Sequence, residues 1–406
     1  MNYANLLEEN YARHTAFSFP GNPYNVDLSK VSSFDIHYKH FVSVNQKDEA
    51  MYRAARSKLI DEAGDIFHEL ILQANDEHEH QFLVELELQS LRLLNEELDY
   101  YRSAKIAKDQ GNSQNSRVKA MALERHFFGV LSTDAISKIL KISSDEIKEF
   151  RSRAKNNKVT RDDLSTNGGK VVKQIIKVLN KEFGTQGVLD AVNAYMGAKY
   201  VVGGLAIELS VPQSTWWRDK LNTSATPRTM YAHLDESIIY PKAIVYLSDV
   251  GSENGPTICY PSIYEKFGFN ALQEIIGRVV HIPGSVEESS LTKYYGRSYH
   301  QAMSSENFRR HFMRLPPELR LHSHMGWDVI ASSELESKFI NCERTMTGPA
   351  GTFIVFDGGR LFHRGGLIES GERFVLQVIF MPPKSLYEKV ISLPRRVISK
   401  IRRLIK

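Results

Sequence analysis

Apolar positions recur at helical spacing from about Asp48 onward. Residues 50–74 and 78–107 are long, charged stretches rich in Leu, Ala and Glu, which predicts two helices joined near Asn75-Asp76 as a hairpin. Before them, residues 1–45 are mixed and aromatic, and Pro20, Gly21 and Pro23 break regularity. After them, residues 109–116 read as a polar linker. Between 132 and 155, Ile136, Leu140, Ile142, Ile147 and Phe150 suit two short helices in a helix-turn-helix, with Ser143 or Ser144 capping the second.

Further along, the period changes from helical to two. The stretch Thr229-Met230-Tyr231-Ala232-His233-Leu234-Asp235 reads as a strand end, on which Tyr231, His233 and Asp235 point the same way. Residues 351–357 form a β-rich run closed by Gly358-Gly359, and Leu361-Phe362-His363-Arg364-Gly365-Gly366 follows. Residues 373–380 are again apolar and β-branched, with Arg373, Val375, Gln377 and Ile379 on one face. A return through Gly365, Gly366 and Gly371 sets that face beside His363.

The chemistry in these two runs is specific. Two imidazoles and one carboxylate hold Fe(II) on one face and leave the opposite positions open for an oxidant and O2. Arg373, ten residues after His363, adds a planar cation able to grip a dicarboxylate in two-pronged fashion. At these residues the chain resembles the phytanoyl-CoA dioxygenase-like Fe(II)/2-oxoglutarate oxygenases. Residues 242–250 look like that family's strand after the metal motif, Asn254-Gly255-Pro256-Thr257 like its Asn-Gly-Pro turn, and 351–373 like its distal-histidine segment. The resemblance covers roughly residues 195–383, with 263–345 poorly matched and everything before about 160 outside it. Where family members often carry Pro-Gly-Ser-His, this chain reads Tyr260-Pro261-Ser262-Ile263, which removes guidance about substrate.

The resemblance implies an α+β fold with a double-stranded β-helix, or jelly roll, as its catalytic core. It implies Fe(II) on His233, Asp235 and His363, and 2-oxoglutarate as co-substrate with its 5-carboxylate on Arg373. O2 would be consumed in hydroxylating a small or lipid- or carrier-linked metabolite, with succinate and CO2 as co-products. Tyr231, Tyr246, Thr257 and Gln377 are the further candidates for contact with 2-oxoglutarate. By alternation Arg364 faces away from His363 and reads as a surface charge.

Composition bounds the rest. The chain has 406 residues, 42% hydrophobic and 25% charged, enough for a catalytic unit of 161–383 and a mainly α-helical N-terminal region of 1–160. Two cysteines, Cys259 and Cys342, give no disulfide framework and point to a reducing compartment. The start Met1-Asn2-Tyr3-Ala4-Asn5 lacks the features of a secretory signal and no apolar run reaches membrane-spanning length, so a cytoplasmic protein is expected. Net charge is +4, but residues 384–406 alone carry +7, which leaves −3 for the remainder. That basic tail reads as a short amphipathic helix able to lie against the inner face of a membrane.

Two other readings compete with an enzyme. One is a non-catalytic helical interaction protein. The other is a DNA-linked regulator using 132–155 and the cations Arg151, Arg153, Lys155 and Lys158, although nucleic acid is not expected as a partner. The insertion is where substrate choice is expected, through Arg278, His281, Lys293, Tyr294, Tyr295, Arg297, His300, Arg309 and Arg310, with Trp216, Trp217 and Arg218 as another wall. His322-Ser323-His324, taken as a strand, puts both rings on one face for a substrate contact, whereas His37, His40, His78 and His80 read as packing or surface groups.

Overall fold

Two antiparallel sheets face each other in the computed structural model, which describes residues 3–13, 23–43, 48–110, 116–155, 162–214, 229, 231–235, 239–279 and 311–383. Strands β1 (His126–Val130), β2 (Ser165–Thr166), β3 (Val201–Ser210), β4 (Lys242–Tyr246), β7 (Thr352–Phe356) and β9 (Arg373–Met381) make the larger sheet, in the order β1-β7-β4-β9-β3-β2. Strands β5 (Thr257–Cys259), β6 (Arg344–Met346) and β8 (His363–Gly365) make the smaller one, in the order β6-β5-β8.

Helices α1 (Tyr3–Arg13), α2 (Leu28–Ser43), α3 (Glu49–Ile71) and α4 (Glu77–Gln110) come first in the chain. Around β1 and β2 lie α5 (Ser116–Glu124), α6 (Thr133–Ile142), α7 (Ser144–Ala154), α8 (Gly169–Thr185) and α9 (Val188–Met196). Between β5 and β6 come α10 (Ile263–Phe267), α11 (Ala271–Val279) and α12 (Glu334–Ile340).

Alternation divides the larger sheet into two faces. Phe374, Leu376, Val378 and Phe380 of β9, with Leu205, Ile207 and Leu209 of β3 and Ala243 and Val245 of β4, share a core with Ile175, Leu179 and Phe183 of α8 and Val192 of α9. Residues of opposite parity turn toward the smaller sheet, where Ile354, Phe356 and Val375 meet Cys259 and Met346. The space between the sheets is therefore lined by alternate residues of β3, β4 and β9, which is where Arg373 and Gln377 lie.

The expected α-helical hairpin is present as α3 and α4, and Asp48 caps α3 by accepting from Met51 N at 2.8 Å. In the helix-turn-helix segment, Ser143 stands at the junction but its Oγ donates back to Ile139 O at 2.9 Å, and Ser132 caps α6 instead by accepting from Ala135 N at 3.2 Å. Of these two helices, α6 packs on α8 and α7 on the larger sheet. Phe150 stacks on Phe374 with ring centroids 6.1 Å apart, Arg151 Nε donates to Glu372 at 2.9 Å, and Arg153 donates to Asp163 O at 3.0 Å. Two of the four cations of the DNA-linked reading, Arg151 and Arg153, thus have partners within the fold.

The first 160 residues share both sheet and core with the rest. β1 forms an edge of the larger sheet by pairing with β7, from His126 opposite Phe356 to Val130 opposite Thr352. A second core joins Phe34, Phe67, Leu83 and Leu86 of α2–α4 to Ile275, Ile276, Phe312 and Phe339 of the insertion. Arg278, expected at a cavity mouth, is instead fully buried on α11. No helix among the described residues is long and apolar enough to cross a membrane. The basic tail, Lys158, Trp216 to Arg218 and the cationic and aromatic set from His281 to Arg310 lie outside the described residues.

Phe183 packs between Phe353 and Phe380, with ring centroids 5.3 and 5.9 Å away. Phe183→Ala is expected to cost about 3–5 kcal/mol of stability, read as a lowered urea midpoint. An unchanged midpoint would contradict this packing.

Candidate metal centre

The segment carrying His233 and Asp235 is not the strand expected from its pattern. Tyr231 has φ +70°, a left-handed conformation uncommon outside glycine, and this breaks the extended run. One reciprocal bridge remains: His233 N donates to His363 O and His363 N donates to His233 O, each at 3.0 Å. The next two residues are held from elsewhere, Leu234 N by Ser323 O and Asp235 N by Gly358 O, both at 2.7 Å. Gly358 must lack a side chain, because a Cβ there would collide with Asp235 Oδ2.

These bonds bring the three predicted donors together. One ligand atom from each of His233, Asp235 and His363 lies within 4.8 Å of the others. Each imidazole approaches the carboxylate through its Nε2, His233 at 4.0 Å from Oδ1 and His363 at 3.7 Å from Oδ2. Each Nδ1 is occupied in the same way, by the carbonyl two residues back: Tyr231 O at 2.8 Å and Leu361 O at 2.9 Å. A carbonyl only accepts, so Nδ1 carries the proton and the Nε2 lone pair is left for a metal.

Electrostatics favour the same protonation states. Burial, reinforced by His363, pushes the His233 imidazole down to about 3, and burial also lowers His363. Burial opposes ionisation of Asp235, but Lys242, His363 and His233 outweigh it and hold the carboxyl well below the usual range. Lys242 Nζ lies 2.7 Å from Asp235 Oδ2. The site thus offers two neutral imidazoles and one carboxylate, a donor set that fits a divalent metal ion.

Aromatic rings frame the donors. The two liganding imidazoles are 4.4 Å apart by centroid, Phe356 is 4.7 Å from His363, and His324 stacks on His233 at 5.2 Å and 22°. His322 and His324 do not share a strand face. His324 N donates to His322 Nδ1 at 3.1 Å, and the His322 ring turns edge-on to Phe312, away from the centre.

The donors open into a cavity of about 270 Å³ between the sheets, and Tyr231, Thr257, Arg373 and Gln377 line it. Arg373 donates to Gly255 O and to Ser210 Oγ, and its Nη2 would lie 3.3 Å from a Cβ on Gly365. Gly365 shares the face of β8 with His363 two residues away, so guanidinium and imidazole are offset by roughly 7 Å along the strand.

Two expectations are corrected. Tyr246 does not line the cavity: its Oη donates to Met346 O and accepts from Thr257 N, each at 2.8 Å, inside the layer between the sheets. Arg364 is not a surface charge, since it is buried and donates to Tyr260 Oη at 2.9 Å and Glu343 at 3.3 Å.

Lys242 and Glu208, which accepts from Gln377, are cavity residues that the motif reading missed. Polar residues at period two in Glu208-Leu209-Ser210 were the available signal. For Lys242 there was only its place at the start of β4.

No family profile and no curated protein matches the chain. Among solved structures it is similar to AviO1 of Streptomyces viridochromogenes, at 12% identity and a TM-score of 0.36 over 68% of this chain and 97% of that one. EctD of S. alaskensis, solved with 2-oxoglutarate and 5-hydroxyectoine, aligns at 11% identity and a TM-score of 0.37 over 66% and 76% of the respective chains. HygX of Streptomyces hygroscopicus, solved with nickel and 2-oxoglutarate, aligns at 12% and 0.35 over 66% and 87%.

Folded His233 and His363 resist protonation where an unfolded imidazole, with its usual value of 6.5, takes it up. The unfolded chain therefore binds more protons as acid is added, so stability is full above about pH 6.5 and falls toward about pH 3. Asp235 acts in the same direction, its contribution being lost as pH falls through its depressed value. In metal-stripped protein, His233→Gln is expected to show a shallower decline of urea midpoint over this window. Parallel curves would exclude a neutral His233 in the folded protein.

Proposed function

We propose that the chain is an Fe(II)- and 2-oxoglutarate-dependent oxygenase of the phytanoyl-CoA dioxygenase-like type, with the two facing sheets as its jelly-roll core. The observation that carries this reading is the convergence of two Nδ1-fixed imidazoles and one carboxylate beside a cavity whose far wall holds Arg373. The reaction proposed is hydroxylation of a small or lipid- or carrier-linked metabolite, with succinate and CO2 released. Ferrous iron, when bound, supplies the O2 activation that couples decarboxylation of 2-oxoglutarate to oxidation of a substrate C–H bond.

The chain's own residues supply position, charge and dryness. His233 and His363 present Nε2, and their backbone bridge keeps the rings from separating. Asp235 adds one negative charge, and Lys242 holds its second oxygen. Arg373 receives the far carboxylate of the co-substrate with a cation that stays charged at any working pH. Its separation from His363 along β8 suits a short dicarboxylate lying between them. Ile244, Phe356 and Val375 make the apolar wall that limits water near the donors. Gln377, fixed by Glu208, and Tyr231 remain at the cavity surface to orient a substrate.

The alternatives of a helical interaction protein or a DNA-linked regulator leave the donor geometry unexplained. Succinate release under Fe(II), ascorbate and O2, screened against a metabolite extract, tests the reading. His233→Ala and His363→Ala are expected to reduce release at least a hundredfold, and Arg373→Ala to raise KM for 2-oxoglutarate at least tenfold. Unchanged kinetics in all three variants would overturn it.

A further inference from the structure

A buried charge cluster lies behind the donors, outside the cavity. Glu97 of α4 is 2% exposed and accepts from Arg278 Nη2 at 2.5 Å and from Arg360 Nε at 3.1 Å. Arg360, 1% exposed, also donates from Nη1 to Asp357 Oδ2 at 2.8 Å, and its guanidinium lies 4.4 Å over the Tyr100 ring of α4. Tyr195 of α9 donates to the same Asp357 oxygen at 2.6 Å. Arg125, just before β1, donates to Arg360 O at 2.6 Å. Elements from the N-terminal half thus converge on Asp357 and Arg360.

Those two residues are the ends of one turn, Asp357-Gly358-Gly359-Arg360, which links β7 to the His363 segment. Two adjacent glycines leave such a turn with many accessible backbone conformations. Yet this turn carries contacts that fix the donors: Gly358 O accepts from Asp235 N at 2.7 Å, and Leu361 O, one residue beyond, accepts from His363 Nδ1 at 2.9 Å. Its shape has to be imposed from its ends. Asp357 helps locally by accepting from Gly359 N at 3.1 Å, and Arg360 ties the other end to α4.

We infer that Glu97 is a positioning residue for the metal centre, holding the Asp357–Arg360 turn through Arg360 so that Asp235 and His363 keep their liganding orientation. The inference rests on the proposed metal site. Burying several charges is costly in desolvation, and a packed apolar core often does as well for stability, so geometry is the more specific return from this cluster. Outer contacts of this kind alter metal affinity by about 10–100-fold when removed. The helical N-terminal half is then part of the metal site's scaffold.

The test is Co(II) titration of the full-length, metal-stripped protein, followed by visible d–d absorption well below each variant's melting temperature. Glu97→Gln is expected to weaken Co(II) binding at least tenfold and to change the band shape. Tyr195→Phe, which removes only the hydroxyl on Asp357, is expected to shift affinity the same way by less and covers the case in which Glu97→Gln does not fold. Phe183→Ala, destabilised through the helix-facing core, is expected to bind Co(II) as the parent does. Parental affinity and spectrum in whichever of Glu97→Gln and Tyr195→Phe fold would overturn the inference. So would a loss in Phe183→Ala equal to theirs, because the effect would then follow stability alone. If the parent takes up no Co(II), the metal reading itself fails and the inference falls with it.

Discussion

Two backbone hydrogen bonds between His233 and His363 are the constraint on which the site depends. They join parts of the chain 130 residues apart and are the only strand-like element in the 231–235 segment. With the main chains locked, the side chains on both sides of the bridge are forced together, which sets the 4.4 Å separation of the imidazoles. Each ring then needs only one more restraint, and each finds it in the carbonyl two residues upstream. At Tyr231 that carbonyl is delivered by a left-handed backbone, a strain that the surrounding contacts of Ala232 and Leu234 sustain.

The layered architecture gives this local arrangement its surroundings. Strict alternation along β3, β4 and β9 sends one set of side chains into the helices and the other into the space between sheets. The first set is apolar throughout, so polar residues at cavity positions do not weaken the main core. A partly buried carboxylate can consequently coexist with Lys242 and two imidazoles in the space between the sheets. Low exposure keeps the imidazoles neutral, and neutrality is what gives them a lone pair to offer.

Parts of this were legible in the sequence because they depend on local periodicity. The α3–α4 hairpin, β7, β9 and the inward parity of Arg373 and Gln377 follow from spacing alone, and the residue types His233, Asp235 and His363 announce their chemistry. Other parts depend on long-range packing, which periodicity does not encode. Tyr246 has cavity-facing parity, but its hydroxyl is intercepted by Met346 O and Thr257 N. Arg364 points away from His363 as alternation requires, yet the outer side of β8 is covered, so it meets Tyr260 and Glu343 instead of water. Arg278 reads as a cation at a cavity mouth until α4 supplies Glu97. The strand expected through His233 was broken by a left-handed tyrosine, a conformation for which no residue-type signal exists.

The pairing of β1 with β7 bears on how the molecule assembles. His126 meets Phe356, 230 positions further along the chain, so β1 has no partner in β7 until all of that chain has been made. Contacts of such span close slowly, because loop entropy is lost before any bonding returns it. During translation this strand must wait with its hydrogen-bonding groups in water, and its closure into the sheet trails its own synthesis by at least that length of chain.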